Sequence, residues 1–352
     1  MKLLIVTQTV DIEDPTLGFF VRWIEEFATH MERVEVICLR EGKHVLPLNV
    51  RVHSLGKENG VSRTKYVFNF YRYLWRLRRD YDAVFVHMNP EYVVLGGLVW
   101  RLLGKRVVLW YTHRQVTFTL RVAVLFAHTI ATAAPESFRL ESVKVRAVGH
   151  GIDTAQFLNP GRAAAFPTPP RLVSVGRITP IKNLALIIEA LEMLRARGIS
   201  AELTFVGAAT VPADRAYERD LHALVSKQGL DTWVHFRGAV SHAQIPLVYA
   251  EQDIFVNAAP TGGVDKAVLE AMAAGLIPVV ANRAFVAYLG TYMDRLVVAQ
   301  TPEAFAAALE SLAHAPDIES VRKTLQSSVA NRASLERLVG TLSGFLQNGK
   351  TS

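Results

Sequence analysis

Two kinds of hydrophobic pattern alternate along this chain. Short, nearly unbroken apolar runs at 3–6, 34–39, 83–87 and 107–111 are separated by stretches near 18–31, 65–79 and 92–103 in which apolar residues return every third or fourth position. The runs predict strands, the periodic stretches predict helices, and their alternation predicts a parallel, doubly wound sheet. The pattern then repeats. Strands are expected at 172–175, 203–206, 234–236, 254–257 and 278–281, with helices over 183–197, 217–228, 243–250 and 266–274. The expected fold class is therefore α/β, with two Rossmann-like doubly wound domains over 1–160 and 171–325. The connector between them, 161–170, is rich in Pro, Gly and Ala, as befits an exposed linker. The stretch 319–346 is helical in pattern with no strand after it, so a C-terminal helix over 326–352 either caps the second domain or crosses back to the first.

Composition narrows the class. The chain has 352 residues, half of them apolar, enough for two cores. Its one cysteine, Cys38, sits in an apolar run and reads as core; a lone thiol suits a reducing compartment. Charged or polar residues interrupt every candidate for the roughly 18 apolar residues of a spanning helix, so a soluble protein is expected. The net charge of +7 is unevenly placed: residues 1–165 carry 22 Lys and Arg against 15 Asp and Glu, whereas 166–352 carry 17 of each. Part of the excess lies in 63–79, which is basic, aromatic and helical in period. That segment fits an anionic membrane surface, or else Val67, Phe70, Leu74 and Leu77 form a core stripe under a solvated arginine face. No nucleic-acid reading motif accompanies the charge, so nucleic acid is not an expected partner.

Two segments carry chemistry. Val173-Ser174-Val175-Gly176-Arg177-Ile178-Thr179-Pro180-Ile181-Lys182-Asn183 and Asp265-Lys266-Ala267-Val268-Leu269-Glu270 each follow a strand and open a helix. Ligands of open parallel sheets bind beyond such strand ends. Arg177 and Lys182 suit phosphate oxygens; alternatively, Arg177 pairs with a surface carboxylate and Lys182 is a solvated first-turn lysine. Lys266, at a helix start where the dipole disfavours a cation, is explained by a bound anion. Glu270, the one charge deeper in that apolar helix, is explained by ribose hydroxyls donating to it. An internal Lys266–Glu270 salt bridge, with Asp265 as a plain N-cap, accounts for the same residues.

Residues 173–194 and 265–282 resemble the donor-binding half of family 4 glycosyltransferases, retaining enzymes with two facing Rossmann-like domains, the GT-B fold. The likeness extends to the first loop, to Gly149-His150-Gly151-Ile152-Asp153 with Phe157, and to the closing Ser334-Leu335-Glu336. The resemblance implies that Arg177 and Lys182 hold the diphosphate and that Glu270 holds the ribose. It also implies that Gly18 lets backbone approach the diphosphate and that His113 lies near the transferred sugar. The chain departs from the family pattern at Gly262, where a glutamate is usual, and at Asp265-Lys266, which replaces a glycine and an apolar residue; Asp265 is expected to take over part of the lost contact. His150 stands where asparagine is frequent.

The resemblance thus implies a retaining transfer of a sugar from a nucleotide-diphosphate sugar to a hydroxyl of a glycan or lipid-linked acceptor, in cell-surface polysaccharide or glycolipid synthesis. Arg177, Lys182 and Lys266 would stabilise the departing diphosphate, with no protein nucleophile and no metal or other cofactor required. The expected setting is the cytoplasm, peripheral at the inner face of the membrane. A nucleotide-sugar-binding subunit without catalysis, or a sugar-nucleotide epimerase of the same architecture, would share the donor grip.

Overall fold

The computed structural model describes residues 1–113, 115–159, 166–167, 169–260 and 263–347. The chain divides into two compact α/β units: Met1–Gly151 with Ser241–Ala243 and the C-terminal residues from Leu335, and Ile152–Val240 with Gln244–Ser334.

The first unit runs β1 (Lys2–Val10), α1 (Phe20–His30), β2 (Arg33–Glu41), β3 (Val50–Ser54), α2 (Arg63–Arg76), β4 (Ala83–His87), α3 (Pro90–Leu102), β5 (Arg106–Trp110), α4 (Phe118–Phe126), β6 (Thr129–Thr132) and β7 (Val145–Ala147). Its seven strands lie in the order β3-β2-β1-β4-β5-β6-β7, and every neighbouring pair is parallel. Alternate residues of β1 serve opposite layers, as a strand's two-residue period requires: Leu3 and Ile5 pack with α1, Leu4 and Val6 with α2 and α3. Helix α1 buries Phe20, Trp23, Ile24 and Phe27, one face at helical spacing. Beside it lies the last helix, Leu335–Gln347, which buries Leu335, Leu338, Leu342 and Leu346 in the same layer.

The second unit opens with α5 (Thr154–Phe157) and continues β8 (Arg171–Val175), α6 (Leu184–Ala196), β9 (Glu202–Val206), α7 (Pro212–Lys227), β10 (Val234–Phe236), α8 (Ile245–Ala250), β11 (Ile254–Asn257), α9 (Lys266–Ala273) and β12 (Ile277–Val280). Its five parallel strands lie in the order β10-β9-β8-β11-β12.

Three expectations need correction. The division between units lies at Gly151/Ile152 rather than at 161–170, because Ile152 and Phe157 are buried in the second core; residues 161–165 and 168 of the expected linker lie outside the described residues. The helical pattern of 319–346 is two helices, Ile318–Ala333 and Leu335–Gln347, broken at Ser334 by an extended backbone (φ −66°, ψ 146°). Val67 is not in the core stripe of α2: Phe70, Leu74 and Leu77 are buried, whereas Val67 is 39% exposed.

Candidate functional site

Strand order in the second sheet reverses between β8 and β11, so the loops leaving these two neighbours diverge to opposite faces and leave a crevice at their carboxyl ends. Arg177 and Lys182 follow β8; Asp265, Lys266 and Glu270 follow β11.

The loop after β8 is shaped by glycine. Gly176 has φ +142°, and Gly207, at the end of β9, has φ +143°. A Cβ on Gly207 would lie 1.9 Å from the Gly176 carbonyl oxygen, so the two strand ends meet backbone to backbone. Gly176 N–H donates to Val206 O at 2.9 Å, and Ile178 N–H to Ala208 O at 3.2 Å. Ile178 is buried and fixes the loop, while the adjacent Arg177 is exposed and makes no ion pair or hydrogen bond through its side chain among the described residues. The alternative of a surface carboxylate partner for Arg177 thus finds no support there.

Lys182 ends a single 3-10 turn, Pro180–Lys182, rather than starting the helix; Asn183, with φ +49°, separates it from α6. It is half-buried and ion-paired with Asp265, 83 residues on. Asp265 is fully engaged. Its Oδ2 also accepts from Asn257 Nδ2 at 3.2 Å, and its Oδ1 accepts from Ala267 N–H at 3.2 Å, capping α9. Asn257, the last residue of β11, holds its own loop by accepting from Ala259 N–H at 3.0 Å. The pairing of Lys182 with Asp265 and the anchoring by Asn257 are features that sequence reasoning missed, since nothing local links residues so far apart.

The first two amides of α6 are already engaged. Leu184 N–H and Ala185 N–H both donate to the Tyr217 hydroxyl, at 2.8 and 3.3 Å, and burial pushes that phenol's pKa up. Any anion beyond β8 must therefore be met chiefly by Arg177 and Lys182 rather than by the first amides of α6.

Glu270 is 7% exposed, one helical turn beyond Lys266, in a helix whose Val268, Leu269, Ala271 and Met272 are buried. Burial lowers the pKa of the Lys266 amine below the ordinary 10.5, and the Glu270 charge only partly restores it. Tyr249, fully buried, donates from its hydroxyl to Ala267 O at 3.0 Å; burial drives its pKa well up, reinforced by the charges of Glu270 and Asp265. The site thus holds two carboxylates and at least two cations in an apolar setting.

Gly18 and His113 belong to the first unit. Gly18 N–H donates to Asp14 O at 2.9 Å, and a Cβ there would come within 2.7 Å of that same oxygen, so the turn into α1 by itself requires glycine. His113 is exposed, its ring edge-on to Tyr111 at 5.7 Å. Gly262, the departure from the family pattern, lies outside the described residues. Among the described residues, no cluster of His, Cys, Asp or Glu has the makings of a metal site, and no helix is long and apolar enough to cross a membrane.

Residues 169–315 match the family model described as "Glycosyl transferases group 1". The putative colanic acid biosynthesis glycosyltransferase WcaL of Escherichia coli is 30% identical over 138 residues, 38% of this chain and 32% of that protein. GDP-mannose:cellobiosyl-diphosphopolyprenol alpha-mannosyltransferase of Xanthomonas campestris is 25% identical over 214 residues, 58% of this chain and 53% of that protein. The chain thus spans about a third to a half of the length of these curated relatives. Among solved structures, Anabaena HepE in complex with UDP-glucose superposes with a TM-score of 0.74 at 14% identity, covering 98% of this chain and 99% of that one. Sucrose-phosphate synthase of Thermosynechococcus elongatus gives 0.71 at 16% identity, covering 98% of each.

Proposed function

Since the fold and the matched domain are those of a family 4-like glycosyltransferase with the GT-B fold, we propose that this protein transfers a sugar from a nucleotide-diphosphate sugar to an acceptor hydroxyl with retention at the anomeric carbon, in polysaccharide or glycolipid synthesis. The observation that carries the reading is the crevice beyond β8 and β11: an exposed Arg177, a Lys182 held in place by Asp265, and a buried Glu270 on α9. Arg177 and Lys182 bind the diphosphate, and Glu270 accepts hydrogen bonds from the ribose. Asp265 positions Lys182. Lys266, whose buried amine already feels the Glu270 charge, adds a further cation for the diphosphate.

In the reaction, the acceptor oxygen forms its bond to the anomeric carbon as the bond from that carbon to the diphosphate oxygen breaks. The bonding electrons leave with the diphosphate, and the acceptor's proton passes to a phosphate oxygen on the same face. The protein supplies no nucleophile; it stabilises the charge that grows on the leaving group. His113 and Gly18 retain roles near the sugar and the diphosphate only through the family resemblance.

The names of two relatives, concerned with colanic acid and with a diphosphopolyprenol, support a polysaccharide or lipid-linked setting. Helix α2 supports work at the inner face of a membrane: Phe68 and Trp75 are 67% and 64% exposed among the cations of 63–79. Arg177→Ala is expected to lower turnover tenfold to a hundredfold, about 1.4–2.7 kcal/mol of transition-state stabilisation; unchanged turnover in a folded variant would refute the role. Binding of nucleoside diphosphate without transfer or slow donor hydrolysis would instead indicate a non-catalytic subunit. Interconversion of free sugar nucleotides would indicate an epimerase.

A further inference from the structure

Helix α6 starts without a cap of its own. Its N-cap position is Asn183, whose backbone is left-handed (φ +49°, ψ 48°) and whose side chain makes no capping hydrogen bond. An ordinary N-cap has extended backbone and accepts from the second or third amide of its helix. Here the acceptor comes from 33 residues further on: the Tyr217 hydroxyl of α7 takes Leu184 N–H at 2.8 Å and Ala185 N–H at 3.3 Å. The Tyr217 ring packs against the second core, and burial raises the phenol's pKa, so the oxygen that meets these amides is uncharged. An aspartate at the same helix start would satisfy the amides with a full negative charge beside the turn that carries Lys182. The phenol does so without adding an anion.

That turn has little hold of its own. Pro180–Lys182 is a single 3-10 turn, closed by Lys182 N–H to Thr179 O at 2.9 Å and Asn183 N–H to Pro180 O at 3.0 Å, and its Ile181 is 60% exposed. Its two ends are therefore what fix it. On one side Ile178 is buried and donates to Ala208 O; on the other Leu184 is buried and donates to Tyr217. Ala208 and Tyr217 both follow β9, so one segment clamps the loop at both ends. Between the clamps the Lys182 amine lies over Gly176, where an added Cβ would stand 3.4 Å from both Cε and Nζ, and reaches Asp265.

We propose that Tyr217 is a positioning residue: by closing the first two amides of α6 with its hydroxyl, it sets the turn 180–182 and so the place of the Lys182 ammonium. The proposal rests on the transferase reading, whose diphosphate grip it extends to α7. Tyr217 acts through Lys182, not on the substrate.

Tyr217→Phe keeps the ring and removes only the oxygen. In the unliganded protein, labelling of Lys182 by acetic anhydride, read by peptide mass spectrometry, is expected to quicken at least about threefold as the amine leaves its pairing with Asp265. Lys266, in the same unit, should keep its parent rate. Calorimetric titration with UDP and with GDP is expected to show about tenfold weaker binding in Tyr217→Phe than in the parent. Adding Tyr217→Phe to Lys182→Ala should cost nothing further, because two changes that act through one contact do not add. Should neither diphosphate bind the parent, or Lys182→Ala leave binding unchanged, the donor reading fails, and the labelling still decides this proposal. Unchanged labelling of Lys182, equal quickening at Lys266, additive loss in the double variant, or tighter diphosphate binding through the freed amides would overturn it.

Discussion

In both sheets the strand order reverses once, between β1 and β4 in the first unit and between β8 and β11 in the second, and the two reversal points carry opposite chemistry. Beyond β8 and β11 stand Arg177, Lys182, Asp265, Lys266 and Glu270, with the lysines and carboxylates half-buried or buried. Beyond β1 and β4 stand a self-satisfied Gln8–Asn89 pair and an apolar cavity, with two cations at its edge. Total charge runs the other way. Residues 1–165 carry 22 cations against 15 anions and 166–352 carry 17 of each, yet the balanced half concentrates charge where water is scarce. One architecture thus offers two kinds of crevice; residues at the strand ends, not the sheet, decide what each takes.

Several substitutions can break that contrast. Lys182→Ala is expected to cost about 100-fold in nucleoside diphosphate affinity, since a charge-assisted phosphate contact is worth about 1.5–3 kcal/mol and Asp265 loses its cation. Lys57→Gln in the first unit should leave that affinity unchanged, and calorimetric titration of both variants shows whether the two crevices differ as described. Gly207→Ala should destabilise the second unit by about 3 kcal/mol, because its Cβ meets the Gly176 oxygen. Gly104→Ala, also at positive φ but with open space around it, should cost only about 1 kcal/mol. Urea unfolding of each distinguishes a built loop from an ordinary turn.

A subtler test is Lys266→Met. Because this amine's pKa is lowered in the folded chain, the unfolded chain binds the proton more tightly, and stability rises as pH climbs from the folded value toward 10.5. The variant lacks that titration, so its melting temperature should not share the parent's rise as pH climbs toward 10.5. It should also bind nucleoside diphosphate more weakly. The smallest stability effect is expected for Trp75→Ser, an exposed change within about 0.5 kcal/mol. Yet it should weaken sedimentation with anionic liposomes, and high salt should abolish the binding of the parent.

The central strands were legible because they are buried apolar runs: 3–6, 83–87 and 254–257 need no tertiary information. β6 was missed because Thr129-Ile130-Ala131-Thr132 reads as polar and short, although all four residues are buried. β3 was missed for a different reason: Val50–Ser54 is partly exposed and lacks an apolar run. The residue types of the candidate site were legible from strand-to-helix spacing, but their connections were not. Asp265 pairs with a lysine 83 residues away, and Tyr217 caps a helix 33 residues earlier; both contacts exist only once the sheet has formed. The break at Ser334 was hidden because both flanking helices are amphipathic and the pattern runs on across a single extended residue.

The account turns on where the second unit holds a diphosphate, and a crystal structure of the protein with its nucleotide-sugar donor, or with the nucleoside diphosphate product, tests that most directly. Phosphate oxygens within hydrogen-bond distance of Arg177 and Lys182, with ribose hydroxyls on Glu270, are the expected result. A diphosphate bound away from β8 and β11, with both cations facing solvent, would contradict it.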